Sequence, residues 1–252
     1  MNNEVRAISI KLRSLLSLHR RMGIVSALFI ILLSTSGFVI HHSAFFNLDQ
    51  RYTDSPTLLS WYGIEAPDVS IAFTAQQHSV ALLADAIYFD TQRLQGSFSS
   101  LIGLVAVDFG YVVALTDRLL LLTTSGELIE VLGSVNNVPQ NIQAIGSDNG
   151  DVYLKLEEAE NRIVKADLNS MSWAYTSTES IQWSEALELS QQQSQKNQAH
   201  YASTLLNWDR VMLDIHSGRF LGNWGVILVD IMAFLFVLMG VTGVWIWSRR
   251  RP

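Results

Sequence analysis

Six histidines stand in this 252-residue chain, and four of them, His19, His41, His42 and His216, fall at the borders of two long apolar runs. A neutral imidazole offers one ring nitrogen as a donor and the other as a ligand. Two facing histidines with an apolar slot between them are therefore enough to bracket a planar macrocycle such as haem b. His42 and His216, with His41 beside them, are brought to the same border. His19 lies at the other one: along a helix it is about 33 Å from His41, close to the hydrocarbon thickness of a bilayer, so the two do not share a site within one chain. The same placement also suits side chains that anchor at headgroup level, as Trp and Tyr do.

Asp230, inside the second apolar run, is the remaining group that could do chemistry. A carboxylate at the centre of a membrane helix costs about 2.5–3.5 kcal/mol on insertion scales, so it calls for a functional role or for a polar partner. His41, His42, Ser34 and Thr35 are the available partners. His78 and His200 stand alone and read as surface residues. Phosphate-binding Gly-rich loops, nucleophile elbows and His-Glu-x-x-His motifs are absent, which disfavours a self-contained hydrolase. Cysteine is absent too, which excludes disulfides, thiolate metal sites, iron–sulfur clusters and haem attached through Cys-x-x-Cys-His.

The elements that must position these groups follow from the apolar runs. Residues 22–40 carry no charge and residues 224–247 carry one, Asp230, and both stretches exceed the 18 residues expected of a spanning helix. The first has a basic front but is too long for the core of a secretory signal, and His41 and His42 follow it where a small-x-small cleavage site would be. It is read as an uncleaved anchor. Basic residues before the first run and at Arg249 to Arg251 place both termini in the cytoplasm by the positive-inside rule. The loop between holds 21 of the 23 acids and 9 of the 17 basic residues, a net charge of −12. That balance argues against a nucleic-acid partner and is accounted for by solubility or by a basic partner.

Residues 1–21 read as an amphipathic cytoplasmic segment at the membrane surface before the chain turns into the bilayer at 22–41. An aromatic collar follows at 42–68. From 69 to 189 the chain reads as a β-rich domain: short apolar or alternating runs at 80–83, 86–89, 101–107, 111–115, 119–122, 128–132, 152–156 and 162–166 are separated by turn dipeptides such as Ser125-Gly126 and Asn149-Gly150. These predict an antiparallel meander, like the recurring hairpins of propeller sheets but short of a closed ring, arranged as a small open sheet or sandwich. Residues 190–223 form a linker, polar and Gln-rich at 190–198, with a juxtamembrane helix marked by Tyr201, Leu205, Trp208, Met212 and Ile215. The second span (224–247) and a basic tail (248–252) complete the chain. The fold class is thus a membrane protein with two transmembrane helices flanking a mainly antiparallel β domain. Small residues at Gly23, Ala27, Ser34, Gly37, Gly240 and Gly243 would allow close helix approach, and a homodimer would turn two spans into a four-helix slot.

Leu18, His19 and Arg20 before the first span, Ser36-Gly37 near its close, His41-His42 with Leu48, Asp49 and Tyr52, then Trp61 to Gly63, and at the far end Asp214 to Gly222 with Thr242-Gly243 and Trp247, together resemble the PepSY-associated transmembrane family. The resemblance covers about a third of the chain. It implies a bacterial inner-membrane protein with a periplasmic insert, related to proteins of iron uptake, siderophore-iron reduction and periplasmic electron transfer, some of which bind haem b. By that resemblance His19, His42 and His216 take the positions of the family's histidines, while His41 stands where Asn is usual. Larger members have four spans where this chain has two, and no PepSY fold is legible in 69–175. The expected function is an accessory or electron-transfer protein in the lipid bilayer, with a periplasmic redox partner or a role within a membrane ferric reductase. The alternative is a non-catalytic anchor or assembly subunit whose β domain docks on a larger complex.

Overall fold

A computed structural model describes residues 2–157, 162–177 and 180–249, with side chains from Leu16 to Ser248 within those ranges. The side chains expected to make residues 5–15 amphipathic, and the basic residues Arg250 and Arg251, lie outside the described set. The chain divides into two compact units: residues 1–53 with 205–252, and residues 54–204.

The first unit is helical. Helix α1 (Asn2–His41) is continuous, so no turn separates the basic segment from the span. A single turn, α2 (Ser43–Phe46), follows, and α5 (Trp208–Ser217) and α6 (Gly222–Arg249) complete the unit. Leu16–His41 and Arg219–Ser248 are each long and apolar enough to cross a membrane, and only 11% of each span's most apolar stretch is buried within the protein. That exposure fits helices solvated by lipid, in which the apolar side chains need no protein cover.

The second unit starts with α3 (Pro56–Trp61) and contains three antiparallel sheets in sequence order. The first comprises β1 (Val69–Ala75), β2 (His78–Leu83), β3 (Ala86–Phe89) and β4 (Gln92–Arg93). The second comprises β5 (Gly103–Val107), β6 (Gly110–Ala114), β7 (Leu119–Thr123) and β8 (Leu128–Leu132). The third has β9 (Ile142–Asp148), β10 (Asp151–Leu156), β11 (Ile163–Asp167) and β12 (Ser172–Thr176), and β13 (Gln182–Trp183) is added beside β9. Each is a meander of the kind that builds a propeller blade, and the first strands adjoin, with β5 packed against both β1 and β9. The expected single open sheet or sandwich is therefore corrected to three stacked blades.

Burial explains the sequence pattern. One core lies between the first two blades, with Phe73, Val80, Ile87 and Phe89 against Leu104, Val113, Leu120 and Leu122. Another lies between the second and third, with Val105, Val112, Leu119 and Leu121 against Ile145, Val152, Leu154 and Val164. The middle blade is covered on both faces, so β6 and β7 read as unbroken apolar runs, whereas the outer strand β8 is mostly exposed.

The Gln-rich segment is also corrected. Expected as an exposed loop or a frayed helix end, it forms a regular helix, α4 (Gln191–Ala202), capped by the Ser190 hydroxyl accepting from Gln193 N–H. The helix docks through amides rather than an apolar stripe. Asn197 is fully buried and donates to the Asp90 carbonyl (2.9 Å), Gln193 donates to Ser79 Oγ (2.5 Å), and Gln198 donates to Asp68 (3.1 Å). The helical repeat read from Tyr201 to Ile215 is interrupted at 203–207, between α4 and α5.

Candidate functional site

The site is built where α1 meets α5 and α6. Asn207 caps α5, its Oδ1 accepting from Arg210 N–H (3.0 Å). The start of α5 is tied to the chain after α1 by Trp208 N–H to the Arg51 carbonyl (2.9 Å), Asp209 N–H to the Leu48 carbonyl (3.1 Å), and the Ser43 hydroxyl donating to Asp209. At its end Gly218 takes a left-handed conformation (φ 80°), and a Cβ there would stand 2.3 Å from the Gly225 carbonyl oxygen. Only glycine permits both the conformation and the approach. A 3-10 turn, Arg219–Leu221, then leads into α6. Cap, tethers and glycine turn together fix α5 and with it His216.

His216 Nδ1 lies 2.9 Å from Ser36 Oγ on α1. The serine hydroxyl has a single hydrogen, and Ser36 Oγ also lies 2.8 Å from the Leu32 carbonyl, which can only accept. The hydrogen therefore goes to Leu32, and in the neutral imidazole Nδ1 carries the proton that Ser36 accepts. In that tautomer His216 Nε2 is unprotonated, and it makes no hydrogen bond among the described residues. Gly37 makes room for the ring: a Cβ there would meet His216 Cε1 at 3.3 Å.

The same device occurs at the other end with the helices exchanged. His19, on α1, has Nδ1 2.9 Å from Thr242 Oγ1 on α6, and that hydroxyl donates to the Leu238 carbonyl (2.7 Å). His19 Nδ1 is thus the protonated nitrogen and Nε2 is free. Gly243 lies under the ring, where a Cβ would meet His19 Cε1 at 3.5 Å. Both histidines are half-buried. In metal sites an imidazole is held in this way, with the far nitrogen's proton given to a fixed acceptor so that the near nitrogen is aimed and basic.

The other expected residues are placed differently. His42 Nδ1 donates to the Phe38 carbonyl of its own helix (2.9 Å), and its ring packs on Phe38 at 4.3 Å and on His41 at 5.0 Å. Among the described residues no hydrogen bond or ring contact joins His42 to His216. His41 is exposed, and so is Asp230, which makes no hydrogen bond or ion pair among the described residues. Its expected partnership with His41, His42, Ser34 or Thr35 within the chain is not formed, because Ser34 and Thr35 are themselves exposed. No group of three or more His, Cys, Asp or Glu that could hold a metal ion occurs among the described residues.

The remaining histidines, His78 on β2 and His200 on α4, are more structured than a surface reading implies. His78 Nδ1 bonds Asp90 Oδ2 (2.7 Å) while its ring stacks on Phe89, and Asp90 Oδ1 accepts from Ser79 N–H. His200 Nδ1 lies 3.1 Å from the Tyr88 hydroxyl. Nearby, Asp85 accepts from Ser97 (3.0 Å) and Tyr201 (3.1 Å), which hold its carboxyl below the ordinary carboxylate range. Burial, with that bond to Asp85, pushes the Tyr201 phenol up.

Sequence reasoning missed the roles of Ser36 and Thr242. The signal is a hydroxyl residue followed by glycine, present once in each span facing a histidine on the other helix of the pair, and visible only once the helices are set side by side. No curated protein and no solved structure matches the chain. The family described as PepSY-associated TM region matches residues 5–250, essentially its whole length, and the chain belongs to that family of membrane proteins.

Proposed function

We propose that this protein is an inner-membrane accessory or electron-transfer protein that holds haem b at its histidine docks, with its β unit in the periplasm. The observation that carries the reading is the repeated dock: His216 on Ser36-Gly37 and His19 on Thr242-Gly243, each with the Nδ1 proton committed and Nε2 free. Headgroup anchoring requires no such orientation, whereas axial ligation does. His216 and His19 would each hold a haem through the ring nitrogen Nε2, and His42, whose Nδ1 proton is likewise committed, would be available at the His216 end. Bound haem supplies one-electron chemistry. The protein's own part is to fix the orientation and tautomer of the rings through the two hydroxyls.

Two docks at opposite ends of the bundle suit transfer of electrons across the membrane to a periplasmic acceptor such as a ferric complex. The test is the reduced-minus-oxidised spectrum of the purified full chain from haem-replete cells. A b-type spectrum that is lost in the His19→Ala/His216→Ala double variant supports the reading. A stable, colourless wild-type protein overturns it.

A second reading, an anchor whose β unit docks on a larger complex, is favoured by the outer strand β8. Among the described residues its outer edge has no strand partner, and Ile129 and Val131 are exposed together with Val135 in the following turn, which is 93% exposed. Open apolar edges are the usual place for strand addition by a partner.

A further inference from the structure

The span in α6 carries one acid, Asp230, and its side chain is exposed on a face otherwise made of apolar residues. Phe234, Val237 and Val241 follow it at intervals of four, three and four residues, and each is about two-thirds exposed. A carboxylate turned toward acyl chains is expensive, and in membrane helices such groups face protein or water. The face bearing Asp230 therefore calls for cover that offers hydrogen-bond donors at its own depth.

The chain itself holds such donors, which make no hydrogen bond with Asp230 within one copy. The crossings of α1 and α6 set the levels: a Cβ at Gly23 would touch Met239 and a Cβ at Gly243 would touch His19. At equal rise Asp230 then stands level with residue 32 of α1. Ser34 and Thr35 lie about 3–4.5 Å further toward the His41 end, within side-chain reach of that level. Both are exposed, and neither makes a hydrogen bond to another element among the described residues.

We infer that a second copy of this chain covers the face, with Asp230 of each copy accepting hydrogen bonds from Ser34 and Thr35 of the other. Matched depth is what a two-fold axis along the membrane normal demands, since that operation keeps every residue at its own level and pairs i with j and j with i. Another membrane protein could supply donors, but only a copy of this chain is already known to carry them at that height. The seam is independent of whether the histidine docks hold a cofactor.

The absence of cysteine makes the test direct. Full-length Ser34→Cys and Asp230→Cys variants carrying different tags are co-expressed and oxidised in their native membranes. A covalent species of twice the chain mass containing both tags is expected, and it should be missing when Met232→Cys, a buried position on the same helix, replaces Asp230→Cys. In parallel, the wild-type chain in lipid nanodiscs should have the mass of a dimer. Asp230→Ala should raise the dissociation constant at least 10-fold, while Asp230→Asn, which keeps an acceptor oxygen, should retain the dimer. A monomeric wild-type chain, or a cross-link only to a protein of different mass, overturns the proposal.

Discussion

The two histidine docks use the same chemistry with different tightness. At the His216 end the supporting hydroxyl, Ser36, is buried, and a Cβ at Gly37 would crowd the ring at 3.3 Å; at the His19 end Thr242 is half-buried and a Cβ at Gly243 would meet the ring at an ordinary 3.5 Å. Their supports differ as well. His19 sits on the long helix α1 itself, whereas His216 is delivered by a separate ten-residue helix held by its cap, its tethers and the Gly218 turn. A hydroxyl accepting from Nδ1 suffices to present Nε2, and the glycine beneath the ring matters more at Gly37, where a Cβ would stand closer to the imidazole.

The largest expected effect breaks the His216 dock and spares the other. Gly37→Val would drive branched carbons into the space of His216 Cε1, and it should reduce haem bound at that end at least 10-fold in a spectroscopic titration, while Gly243→Ala should stay within about two-fold of wild type. Equal losses in both variants would remove the distinction between the docks.

Next in size are the hydroxyls. Ser36→Ala leaves the His216 Nδ1–H without its acceptor, and loss of such a second partner typically lowers affinity 10–100-fold. Thr242→Val should weaken the His19 dock by the lower part of that range because its surroundings are less buried. Ser36→Thr and Thr242→Ser should restore binding, and failure of these rescues would assign the effect to packing instead of proton placement.

A smaller effect should fall on the β unit alone. Asn197→Leu strands the amide-lined berth that α4 occupies on Asp90 and Ser79, and it should cost about 1–3 kcal/mol in the unfolding of that unit, read by denaturant titration, with the histidine docks unchanged. The smallest concerns pH. Hydrogen bonds from Ser97 and Tyr201 depress the Asp85 carboxyl in the folded state, so their contribution is present above its unfolded value near pH 4 and is lost as pH falls through the lower folded value. Asp85→Asn should flatten the acid limb of a stability–pH profile slightly, since the group is largely solvated.

Much of this architecture was legible in the residues. The spans followed from their long apolar runs, and eight strands followed from short apolar or alternating runs, the clearest being β6 and β7, which are covered on both faces and so are apolar throughout. Strands β9 and β12 escaped notice because Ile142 to Asp148 and Ser172 to Thr176 mix polar residues with turn formers, and their pairing is set by the neighbours β10 and β11. Helix α4 escaped because its docking is by hydrogen bonds, which leave no hydrophobic period. His19 and His216 were legible from their position at the ends of the spans. Their docking on Ser36 and Thr242 was not, since it depends on the rotation of one helix against another, which no single span encodes. The stacking of hairpins into three blades, likewise, is decided by contacts between first strands far apart in the chain.

As neutral imidazoles, both histidines carry the proton on Nδ1 and leave Nε2 bare. Solid-state nitrogen NMR of the full-length chain in lipid bilayers, with labelled histidine and assignment by His19→Ala and His216→Ala, reads this directly. A protonated Nδ1 and an unprotonated Nε2 are expected for the neutral form of both residues, with the His216 signature disturbed by Ser36→Ala and the His19 signature by Thr242→Val. Finding the Nε2–H tautomer at either residue would contradict this.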